Sequence, residues 1–153
     1  MDLAHLYTSF QGRISRQPFW IGLIVLIVTA LLAVLAIGAL VGVSMFATDS
    51  RFKLLKFALL IVFLYPAAAL LIKRLHDRNR PNWFASFFLV PTIAYGLTEL
   101  AGITGNGPGS NALDYLVGTV QLAAAIWLVI EPGILRGTVG PNQYGPDPLE
   151  GRM

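Results

Sequence analysis

From Phe19 to Ala47 the chain carries no charged side chain. A helix rises about 1.5 Å per residue, so this run crosses the roughly 30 Å hydrocarbon core of a bilayer with tilt or overhang. It begins after an 18-residue lead and is far longer than the apolar region of a signal peptide, so it reads as a retained membrane anchor. Pro18 suits the first turn of a helix, and Trp20 suits the aromatic belt at the membrane–water interface.

The remainder of the chain follows the same solvent. Hydrophobic residues make up 56% of the sequence and charged residues 12%, too few to clothe a water-soluble globule. Three further apolar runs are separated by short polar links. The sequence therefore predicts an all-α, polytopic membrane protein with four transmembrane helices, at 19–47, 54–72, 82–98 and 113–131, in a single membrane domain spanning 1–153. Residues 1–18 form an amphipathic interfacial segment, with Leu3, Leu6, Tyr7 and Phe10 on one face and Gly12 interrupting it. Residues 132–153, rich in Gly, Pro and Asn, form a cytoplasmic tail that is either mobile or docked on the helix ends.

Within the spans, Pro66 and Pro91 each remove a backbone donor and mark kinks. Gln121 reads as a partner in an interhelical hydrogen bond. Gly38 and Gly42 form a Gly-x-x-x-Gly pair that permits close helix packing inside the chain or a homo-oligomer seam. The glycines at 102, 105, 107 and 109 do not make a phosphate cradle, because no Gly-Lys-Ser/Thr follows and no strand precedes. The absence of cysteine excludes disulfides and thiolate metal sites, and no histidine or carboxylate spacing points to a bound metal or cofactor. No basic stripe or recognisable module points to nucleic acid.

The cations cluster at one end. With four spans, the N-terminal segment, the 73–82 link and the tail share a side and hold Arg13, Arg16, Lys73, Arg74, Arg78, Arg80, Arg136 and Arg152. The other side holds Arg51, Lys53 and Lys56. That asymmetry predicts cytoplasmic termini.

Three motifs lie on the basic side, in order: Gly12-Arg13-Ile14-Ser15-Arg16 with Phe19-Trp20, Arg74-Leu75-His76-Asp77 with Trp83, and Gly140-Pro-Asn142-Gln-Tyr144-Gly145-Pro-Asp147-Pro148. Over nearly the whole chain this pattern resembles the domain-of-unknown-function family 805, the YhaH-like bacterial inner membrane proteins. The resemblance implies a bacterial inner membrane location and supplies no established reaction. The family's central motif reads Arg-Leu-His-Asp-x-Gly-x-Ser-Gly-Trp-Trp, and here Asn79 replaces the first glycine, Pro81-Asn82 the Ser-Gly, and Phe84 the second tryptophan. Asparagine tolerates positive φ better than other side chains, which would preserve the turn.

The motif residues Arg13, Arg16, Arg74, His76, Asp77, Arg78, Arg80, Asn142, Tyr144 and Asp147 are therefore the candidate polar cap. If the second span continues past Ile72, Asp77 has Lys73 and Arg80 within helical pairing distance. Arginines at 13, 16, 74, 78 and 80 would suit a phosphate or other anion, such as an anionic lipid headgroup, with Asp77 and Asp147 orienting the guanidiniums. Asp77 is poorly placed to orient its neighbour His76 as a general base, and Asp147 would be the better partner. The sequence thus favours a non-enzymatic scaffold or accessory protein embedded in the bilayer. A small transporter or channel component is the alternative.

Overall fold

A computed structural model describes residues 3–42, 49–104 and 111–150. Its helices are α1 (Leu3–Thr8), α2 (Arg16–Val41), α3 (Lys53–Asp77), α4 (Ser86–Leu100) and α5 (Ala112–Leu128). A 3-10 turn, Asn82–Ala85, leads into α4, and a π-turn, Val129–Ile134, continues α5. Among the described residues, four helical segments are long and apolar enough to cross a membrane: Arg16–Val41, Lys53–Asp77, Asn82–Leu100 and Ala112–Ile134. Ile24, Ile27, Leu31, Leu32 and Leu40 of α2 are each more than half exposed, a surface suited to lipid rather than water.

The observed boundaries have local causes. Helix α2 starts at Arg16 because the Phe19 amide already closes onto the Ser15 carbonyl, and Pro18 occupies a first-turn position that needs no donor. It ends at Gly42, whose φ of +92° lets its amide return to the Gly38 carbonyl at 2.8 Å. Of the Gly38–Gly42 pair, Gly38 lies buried within the helix and Gly42 caps it. Residues 43–47, assigned to this span from sequence, lie outside the described residues, as do Gly105, Gly107, Gly109 and Arg152. Helix α5 begins with a reciprocal capping box between Asn111 and Asp114. Both prolines, Pro66 and Pro91, sit inside continuing helices.

Packing follows small residues. A Cβ on Gly22 would meet Leu70 Cδ2 at 2.9 Å, and one on Gly96 would collide with Leu60, so these glycines set the approach of α2 and α4 to α3. Gln121 Nε2 of α5 donates to Thr92 Oγ1 of α4 at 3.2 Å, the interhelical bond expected for it. Across the membrane from the motif cluster, Lys56 Nζ pairs with Glu99 at 2.7 Å, tying α3 to α4.

The N-terminal segment does more than lie in the interface. Helix α1 packs against α3, with Leu6 buried and the Tyr7 hydroxyl donating to the Gly22 carbonyl at 3.0 Å. Tyr65 donates to the Thr8 carbonyl at 3.1 Å, and Lys73 Nζ donates to the carbonyls of His5 and Leu6 at 2.7 and 2.5 Å. Tyr65 and Lys73 are roughly 12 Å apart along α3, so α1 spans that distance of the helix surface.

Candidate functional site

The site is built on the last turn of α3. Its end is a Schellman motif: the Arg80 amide returns to the Leu75 carbonyl and the Asn79 amide to the His76 carbonyl, both at 2.9 Å. Asn79 holds the left-handed position of that motif at φ +55°. Its amide side chain makes it the best non-glycine occupant, so the turn is kept. The turn points the chain from Asp77 towards Asn82 and leaves the final helical carboxylate facing the bundle interior.

Asp77 is 3% exposed, and a carboxylate that deep must be paired. Arg13 Nε and Nη2 donate to Oδ1 at 3.2 and 3.1 Å, while Arg74 Nη1 donates to Oδ2. The same guanidiniums then reach outward. Arg13 donates to the carbonyls of Thr138 and Gly140 at 2.8 Å each and of Gly145 at 3.1 Å. Arg74 donates to the carbonyls of Pro132 at 2.7 Å and Leu135 at 2.6 Å, the free end of the π-turn. A planar, permanently charged fork can serve a carboxylate and several carbonyls at once, which an ammonium cannot.

This arrangement corrects the pairing read from helical spacing. Lys73 does not pair with Asp77; its ammonium satisfies the carbonyls of α1. Arg80 does not either. Arg78 and Arg80 both meet Glu131, at 3.0 and 3.3 Å, and so fasten the 78–80 turn to the end of the last span. The five arginines do not surround one vacant anion position. Two are committed to Asp77, two to Glu131, and Arg16 lies at the edge, donating to the Ile134 carbonyl at 3.2 Å.

The tail is docked as far as Glu150. Thr138 donates its amide and hydroxyl to the Asp77 carbonyl at 2.8 and 3.0 Å. Asn142 Nδ2 donates to the His76 carbonyl at 2.9 Å, and Tyr144 stacks on the His76 ring at 3.8 Å with 6° between planes. A Cβ at Gly137 would overlap the Asp77 carboxylate, so that position admits no side chain. His76 Nδ1 lies 3.1 Å from the Gly12 carbonyl and Nε2 faces the Asn82 amide. A carbonyl only accepts, so Nδ1 carries the proton. Asp147 is not its partner: Asp147 accepts the amides of Gly140 and Leu149, both at 2.9 Å.

The motif that opens the chain, the end of α3 and the tail therefore meet in one polar cap. Asn82, within the central motif, belongs to it as well, and so do Glu131, Gly137 and Thr138, which no motif marked. Between Ser15, Arg16, Arg136 and the tail lies a pocket of about 450 Å³.

The family profile described as "Protein of unknown function (DUF805)" matches residues 7–146, a range that includes all three motifs. The chain belongs to this family. Among curated relatives, the uncharacterized protein YiiR of Escherichia coli strain K12 is 31% identical over 148 residues, covering 96% of this chain and 90% of its own length. The inner membrane proteins YhaI and YhaH of the same strain are each 30% identical over 105 residues, covering 69% of this chain and 82% and 84% of theirs. No solved structure matches the chain. As a DUF805 member it has the four spans expected of a polytopic membrane protein.

Tail docking has a pH signature. Backbone donation from Leu149 and Gly140, with Arg13 and Arg136 nearby, lowers the Asp147 carboxyl below its ordinary range. A carboxyl lowered on folding stabilises the docked tail above its unfolded pKa of about 3.9 and loses that contribution as pH falls through the lower folded value. Limited pepsin digestion should therefore cut the tail faster as pH drops below about 4. Asp147→Asn should be cut faster at the higher pH and show a smaller change over that range. An identical pH profile for the two proteins would contradict the assignment.

Proposed function

We propose that this chain is a non-enzymatic scaffold or accessory protein of the bacterial inner membrane, with both termini cytoplasmic, whose polar cap receives an anionic lipid headgroup. The inner membrane location follows the named relatives YhaI and YhaH, and the orientation follows the excess of cations on the cap side.

One observation carries the reading: the cap separates its cations into a satisfied interior and an open rim. Arg13 and Arg74 have spent their donors on Asp77 and on carbonyls, so they hold the cap together. At the rim, the Arg136 side chain and the Ser15 hydroxyl have no hydrogen-bond partner among the described residues, and Arg16 makes a single exposed bond. All three line the 450 Å³ pocket. Asp147 and Glu150 line it too, and Asp147 is held by two backbone amides. Bidentate arginine donors beside a hydroxyl suit a phosphate oxygen, and the membrane surface supplies phosphates at this depth.

The His76 surroundings argue against catalysis. Both ring nitrogens are engaged and one face is covered by Tyr144, so the ring holds segments together. For transport, the Thr92–Gln121 pair is a short polar contact and offers no path between the two ends.

Released from phosphatidylglycerol nanodiscs into a native mass spectrometer, the protein should retain lipid at the cap. Arg16→Gln with Arg136→Gln should lower that retention about thirtyfold, since each surface cation contributes about 1 kcal/mol. Unchanged retention, or solute flux in proteoliposomes above the protein-free background, would overturn the proposal. Orientation has its own test. A reporter active only outside the cytoplasm, fused at Asn106 between the third and fourth spans, should be active, and inactivity would reverse the topology.

A further inference from the structure

A second feature lies at the opposite end of the spans and is independent of the cap. Helix α2 meets α3 closely where Gly22 faces Leu70, and it packs on the π-turn at the cap. Between α2 and α4, towards the other end, lies an apolar crevice of about 380 Å³ floored by α3. Ala30 and Val34 form one wall, Tyr95 and Gly96 the other, and Leu60 and Phe63 the floor. A second apolar space of about 250 Å³ shares Leu60 and Phe63 and extends the crevice towards Phe19 and Phe88.

The mouth of this groove is charged. Lys53 and Lys56 line it with Glu99. Lys56 is paired with Glu99, whereas Lys53 forms no ion pair or hydrogen bond among the described residues. The groove therefore presents a net positive end and an apolar interior. Along α3, Lys53 and Phe63 are ten residues apart, roughly 15 Å, which is the depth of one leaflet's hydrocarbon.

We infer that this groove is a binding site for one anionic phospholipid, with an acyl chain lying between α2 and α4 and the phosphate against the Lys53 ammonium. The occupant is chosen by complementarity. An acyl chain fills a narrow slot that opens sideways to the bilayer, and a phosphate supplies the anion that Lys53 lacks. The apolar helix of a second copy would cover the slot but leave that ammonium without a counter-ion at a dehydrated contact. The inference does not rest on the cap: it concerns other residues at the other membrane surface.

The test compares retained phosphatidylglycerol with retained phosphatidylcholine by native mass spectrometry after release from nanodiscs containing both. Lys53→Gln should reduce the preference for the anionic lipid about fivefold, and Lys53→Arg should keep it. Ala30→Phe, which fills the slot while leaving the charges in place, should lose one bound lipid of either kind, with helical content by circular dichroism unchanged. The cap double variant, Arg16→Gln with Arg136→Gln, should leave this lipid bound, so failure of one site is readable apart from failure of the other. Wild-type lipid retention in both Lys53→Gln and Ala30→Phe overturns the inference. So does an Ala30→Phe variant that shifts dimer to monomer with lipid unchanged, because the slot would then hold a second copy.

Discussion

A carboxylate buried at the end of a membrane helix must have its charge answered within the protein. Asp77 is answered from two directions. Arg74 comes from the preceding turn of its own helix, and Arg13 from the segment that leads into the first span. Each arginine has donors left over after the carboxylate is met, and those donors reach the tail and the end of the last span. One negative charge thereby fixes the relative positions of four chain segments. Removing either partner would strand a buried charge, which is why such pairs are costly to break even where the intact pair contributes little net stability.

The same end of the molecule uses cations to solve a second problem. The last carbonyls of a helix have no intrahelical partner, and near a bilayer water supplies donors poorly. Lys73 serves the carbonyls of α1, Arg74 those of the π-turn, and the Trp20 indole donates to the Gly133 carbonyl at 3.1 Å. A Cβ at Gly133 would come within 2.6 Å of that indole, so the approach depends on the glycine. Basic side chains at helix C-termini also complement the helix dipole. Much of the cationic excess at this end is thus employed inside the fold, and Arg16 and Arg136 remain at its rim.

The spans were legible because apolar length is a one-dimensional property, and the Asn79 turn because positive φ restricts residue choice locally. The bond from Gln121 to α4 was legible as a requirement, since its amide had no local partner. The pairing of Asp77 was not. Helical spacing allows Lys73, Arg74 and Arg80; of these only Arg74 pairs, and the second partner is Arg13, 64 positions away, a fork that also reaches the tail. Lys73 was misread for a related reason: its acceptors are backbone carbonyls, which leave no residue signature. Glu131 and Thr138 fell outside every motif and became visible only when the last span and the tail were brought beside Asp77.

The cap is therefore best understood as a latch, with any binding role confined to its rim. The measurement that bears on this most directly is a double-mutant cycle between Arg13→Gln and Asp77→Asn, read from reversible unfolding in mixed micelles. If Asp77 organises the cap through Arg13, the two changes should be non-additive, with a coupling of about 1.5 kcal/mol or more. Additivity within about 0.5 kcal/mol would show that the pair is incidental and would contradict the account.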